Sequence, residues 1–145
     1  MKKVLAIFMI LSSSLALADF SGKHQGSGRQ YDSDGLNIEC SEASITITQS
    51  SDKIELGALI FQCGENIGIW EPLEFSIQGT NLFLEGKKVG DISHDTLNVK
   101  ISDLKTGESE IIYLSTDSKG VLNLSRMWND PSNRSWLTFE ASFKE

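Results

Sequence analysis

The chain has 145 residues, 39% apolar and 23% charged, with 13 Lys and Arg against 20 Asp and Glu for a formal charge of −7. That length supports one domain with a core of its own and not two. The acidic balance argues against a nucleic-acid binder, whose affinity rests on Lys and Arg neutralising phosphates.

Residues 1–18 read as a secretory leader. Lys2 and Lys3 precede an apolar run from Val4 to Leu11, and Ala16-Leu17-Ala18 supplies the small residues of a cleavage site before Asp19. The apolar run falls short of the ~20 residues of a membrane span, and no second such run follows. The expectation is an exported protein, periplasmic or secreted, with a bacterial style of leader and no span after processing. The leader carries no acid, so its removal takes the formal charge from −7 to −9. Residues 19–145 are then the folded domain.

From there the pattern alternates with period two. Strands are predicted over 20–29, 36–49, 53–63, 67–77, 81–85, 88–92, 96–103, 109–116, 120–128 and 135–144. In the first, Phe20, Gly22, His24, Gly26 and Gly28 share one parity, which is expected to face inward. Glycines on that face suggest a bend or the close approach of another backbone. Further along, Leu73, Phe75 and Ile77, then Leu97, Val99 and Ile101, then Leu137, Phe139, Ala141 and Phe143, each alternate with polar residues. Such runs are half-buried antiparallel strands. Turn sequences such as Asp32-Ser33-Asp34-Gly35, Glu85-Gly86 and Asp117-Ser118-Lys119-Gly120 separate them. The reading is all-β, an antiparallel meander closed into an up-and-down β-barrel, with a β-sandwich as the alternative.

Cys40 and Cys63 are the two cysteines, and in an exported chain an even pair defaults to a disulfide. A turn at 50–53 sets Ile47 opposite Leu56, Ile45 opposite Ala58 and Ala43 opposite Ile60, all on the inward face. The same register brings Cys40 opposite Cys63, with a bulge expected near Ser41 and Glu42 to reconcile the side-chain parities.

Chemistry-bearing residues are sparse. His24 and His94 are the two histidines, and neither falls in a motif with metal-ligand or catalytic spacing. The sequence therefore suggests no cofactor, no metal and no recognisable enzyme. Arg126 stands out because it shares the inward parity of Leu122, Leu124 and Trp128. A cation facing an interior must be paired or serve a ligand. It could also cap the barrel end, pair with an internal Glu, or turn outward through a bulge. With Trp128, Trp70, Phe75, Phe83 and His24 it is a candidate for an amphipathic ligand pocket. Trp136 has the opposite parity and is expected to be exposed, as a partner anchor or a cover over the barrel end.

Phe20-Ser-Gly22-Lys-His24 ahead of a meander resembles the opening of lipocalin-like (calycin) barrels, in which a Gly-x-Trp on the first strand closes one end beneath a late Arg. Here His24 stands where that Trp would, and Arg126 is the counterpart of the Arg. Arg126-Met-Trp128 is also similar to the Arg-x-aromatic of fatty-acid-binding barrels, which grips a ligand carboxylate. The resemblance implies a binding protein for a small apolar or amphipathic ligand, with Arg126 meeting any acidic group. The alternative drawn from the charge is an interaction or inhibitor module acting on a basic partner enzyme.

Overall fold

A computed structural model describes residues 16–144, and within it the chain is all-β. The leader lies outside the described residues except for Ala16, Leu17 and Ala18. Twelve strands follow: β1 (Gly22–Asp32), β2 (Asn37–Gln49), β3 (Lys53–Leu56), β4 (Leu59–Cys63), β5 (Asn66–Trp70), β6 (Leu73–Gln78), β7 (Asn81–Leu84), β8 (Lys87–Ile92), β9 (Thr96–Ser102), β10 (Ser109–Thr116), β11 (Leu122–Asn129) and β12 (Ser135–Lys144). All pairings are antiparallel. A ring runs β1-β12-β11-β10-β9-β8-β7-β6-β3-β2 and back to β1, a barrel-like closure rather than two stacked sheets.

Two of the ten expected strands are each broken once. The segment 53–63 divides into β3 and β4 at Gly57-Ala58, and 67–77 divides into β5 and β6 at Glu71-Pro72. The two halves still form one long hairpin in constant register, from Lys53 opposite Ser76 and Leu56 opposite Leu73 to Leu59 opposite Trp70 and Cys63 opposite Asn66. Pro72 has no N–H to give a ladder, which explains the break there.

The break at Gly57 corrects the expected register. Ile47 does face Leu56, but Ala43 faces Phe61 rather than Ile60. Gly57 N–H donates to the Thr46 carbonyl at 2.8 Å, and beyond it the pairing has slipped by one residue. Ala58 and Ile60 consequently face out, while Leu59 and Phe61 enter the core. A second irregularity between Cys40 and Glu42 returns the slip, as expected near Ser41. Cys40 and Cys63 end up directly opposed and are disulfide-bonded.

The inward parity holds elsewhere. Phe75, Leu97, Leu114 and Phe139 are fully buried, with Ile54, Leu82, Ile112 and Phe143 around them. Gly26 and Gly28 lie where β12 crosses β1. A side chain at Gly26 would collide with the Ser142 carbonyl, so the absence of a Cβ lets the two backbones close the ring. Phe20, 2% exposed, plugs the end near the β1 start. There Gln49 accepts from Phe20 N–H at 3.2 Å and donates to the Ala18 carbonyl at 2.6 Å.

Candidate functional site

The far end of the ring gathers the tryptophans. On β11, Arg126 lies opposite Ile112 and Trp128 opposite Glu110, so Glu110 is the diagonal neighbour of Arg126 on the inward face. Arg126 Nε donates to Glu110 Oε1, and the two side chains are 12% and 17% exposed. The guanidinium carbon sits 4.9 Å from the Trp70 ring centroid and 5.2 Å from that of Trp128, within cation–π range. Trp70 meets Trp128 at 4.6 Å and Phe139 at 4.9 Å, and Phe61 meets Trp70 and Phe139 at 4.7 Å each. Gly68 lies opposite Phe61 and leaves room for that ring over β5. Of the alternatives open for Arg126, two describe what it does here: it pairs with an internal Glu, and it caps the end.

The six candidate residues do not form one site. Arg126, Trp128 and Trp70 come together. Phe75 is buried in the core, and Phe83 is half-buried beside Leu82, which takes the core position. His24 is at the opposite end, its Nε2 2.9 Å from the Phe20 carbonyl and its ring edge-on to Phe143. Glu110 was not among the candidate residues, although its shared parity with Ile112 and Leu114 marks it as facing inward.

The interior under Arg126, between Ile45, Leu59, Ile112 and Leu124, holds a cavity of about 10 Å³, room for at most one water. The larger concavities lie outside the ring. One of about 590 Å³ crosses the outer faces of β10, β11, β12, β1 and β2, and carries Ser27, Arg29, Glu39, Tyr113, Asn123 and Glu140. Its polar groups are already paired in part, with Arg29 on Glu39 at 3.1 Å and Tyr31 Oη on Glu140 at 2.8 Å. Burial and then the Glu140 contact push the Tyr31 phenol above its usual range. Another, of about 440 Å³, borders the β4–β5 hairpin beside Ile60 and Ile67.

That hairpin leaves a feature the sequence did not disclose. β5 ends the hydrogen-bonded order, so its outer edge pairs with no strand among the described residues. The cause is the short β7–β8 hairpin, of four and six residues, which pairs with β6 and never reaches β5. Ile67 and Ile69 stand 69% and 62% exposed on this edge strand, next to Ile60 at 45%. Glu65 and Glu71 bracket it. The sequence pattern placed Ile67 and Ile69 within an ordinary stave, since alternation shows which residues share a face and not whether a neighbouring stave is long enough.

At the same end, the 130–134 loop folds around Asp130. Its Oδ1 accepts from the Ser132 hydroxyl at 2.6 Å and from the backbone N–H groups of Ser132 and Arg134 at 2.8 and 3.0 Å. These bonds, the hydroxyl first, lower its pKa to about 2.

What these features define among the described residues is an all-β, disulfide-pinned ring with a filled centre and an exposed edge at β5. No group of three or more metal-ligating side chains converges among the described residues, and no helix there is long and apolar enough to cross a membrane. Compared with known proteins, the chain matches no family model and no curated sequence.

Proposed function

We propose that this chain is an exported binding module that docks an extended segment of a basic partner protein along the free edge of β5. The observation that carries the reading is the composition of that edge: Asn66–Trp70 has no charge, two exposed isoleucines and a carboxylate beyond each end. An unpaired edge offers main-chain donors and acceptors to an added strand, and side-chain neighbours set which strand is accepted. Lys or Arg flanking an apolar centre would complement Glu65 and Glu71. A second copy is disfavoured, because antiparallel pairing of two β5 strands about Gly68 sets Glu65 against Glu71. The formal charge of −9 expected after processing would steer a basic partner inward. A small amphipathic ligand, the reading implied by the calycin resemblance, would have to displace side chains from the interior.

The test is titration with a pentapeptide alternating isoleucine and serine between terminal lysines, followed by amide shifts. Shifts at 66–70 are expected, lost when glutamates replace the lysines. Ile69→Lys should weaken binding by about tenfold, roughly 1.4 kcal/mol, without changing stability. Equal shifts with the glutamate peptide, or none at β5, would overturn the reading. A concentration-dependent dimer broken by Ile69→Lys would replace the basic partner with a second copy.

A further inference from the structure

A second concavity at the tryptophan end, of about 190 Å³, opens on the rim between the β9–β10 turn and β12. Trp128 and Trp136 form its walls, with ring centroids 6.4 Å apart and planes inclined at 45°. Asp103, Glu108 and Glu110 are the acidic residues among those that line it. In its wall sits Ser109, 6% exposed, whose Oγ has no hydrogen-bond partner among the described residues. A buried hydroxyl left unbonded costs about 1–3 kcal/mol, so a group that satisfies it from the cleft recovers that cost.

We infer that this cleft is a binding site for one guanidinium group, an arginine side chain of the partner, an assignment that rests on the basic-partner reading above. Its volume is about six times the ~30 Å³ share of a liquid water, enough for a guanidinium head and part of its stem. Arg126 shows the same recognition within the fold, lying over Trp70 and Trp128 with its Nε on Glu110. That pairing uses Glu110 and one side of Trp128. Trp136, 44% exposed, and the acids of the β9–β10 turn are left for a guest. Asp103 Oδ1 accepts from the backbone of Lys105 and Thr106, and Glu108 Oε2 from the Thr106 hydroxyl, so each acid keeps its second oxygen for a donor. The nearby cation Lys100 is turned to Asn133 Oδ1 at 3.4 Å. Guanidinium fits better than ammonium here because it is planar and weakly hydrated, so it can lie on an indole while its N–H groups reach a carboxylate and the hydroxyl.

Titration of the processed protein with N-acetyl-arginine amide, followed by amide and indole N–H shifts, tests the site. Saturable movement of the Ser109 amide and the Trp136 indole is expected, and none with the uncharged N-acetyl-citrulline amide. Trp136→Ala and Glu108→Gln, both exposed, should each weaken binding by about two- to fivefold. Ser109→Ala should also weaken it while leaving the free protein at least as stable, which a structural hydroxyl would not do. No saturable shift at Ser109, or an equal response to citrulline, would overturn the inference. The arginine probe binding while the lysine-flanked peptide does not would sink the β5 reading and leave the cleft. The converse result would sink the cleft alone.

Discussion

Arg126 and Glu110 meet diagonally across β10 and β11, both turned into the ring and both mostly withdrawn from water. Removing one charge strands the other, whereas replacing both with apolar groups can be neutral. Glu110→Ala should therefore cost about 3 kcal/mol, read as a lower urea midpoint. Glu110→Leu combined with Arg126→Leu should recover most of that. Glu74, in an exposed pair with Lys53 at 2.7 Å, is the control. If Glu74→Ala lowers the midpoint as much as Glu110→Ala does, burial is not what makes the Arg126 pair matter.

The Cys40–Cys63 bond closes a loop with a sequence separation of 23. By denatured-state entropy such a loop contributes about 3 kcal/mol. The double variant Cys40→Ala, Cys63→Ala should lose about that much. Amide exchange should quicken more in β4 and β5 than in β10 and β11, because β4 is held by β2 on one side and by the free-edged β5 on the other. Uniform acceleration in every strand would show instead that the bond acts through the unfolded chain alone.

Alternation made the ring legible where polar and apolar residues take turns without interruption, as in Leu97 to Ile101 and Leu137 to Phe143. It failed where both parities are apolar. Leu56-Gly57-Ala58-Leu59-Ile60-Phe61 gives no phase, so a one-residue slip at Gly57 is invisible and Ile60 exchanges places with Phe61. The cysteine pairing nevertheless came out right, because the slip at Gly57 is undone at Ser41 before Cys40 is reached. At the candidate site, the inward parity of Arg126 was legible, while its ring partner Trp70 was fixed by the fold's closure. Ser109 escaped notice because its burial comes from its place at the rim, where β10 begins opposite Asn129, and not from strand periodicity.

Gly68 carries the contact between the edge strand and the core. A methyl there would enter the Phe61 ring, which packs edge-on against Trp70 and tilted against Phe139. Gly68→Ala should cost about 1–3 kcal/mol as overpacking, whereas Ile67→Ala, on the outer face of the same strand, should cost little. Thermal melts of the two variants decide between them. Equal effects would mean that β5 does not pack on the ring through Phe61.

Acid should loosen the 130–134 loop before the ring. The folded Asp130 carboxyl titrates at about 2 against 3.8 for the free group, held down chiefly by the Ser132 hydroxyl and then by the Arg134 backbone N–H. A depressed folded value means that its contribution is complete above about pH 4 and is lost as pH falls through about 2. Trp136 lines the same surface hollow as Asp130 and Arg134, so its indole N–H signal reports the change. Between pH 4 and 2 that signal should shift in the native protein, and Asp130→Asn should flatten the step because an amide does not titrate there. A step that survives in Asp130→Asn would assign the transition to other carboxylates at this end, with Asp103 and Glu108 the first to replace.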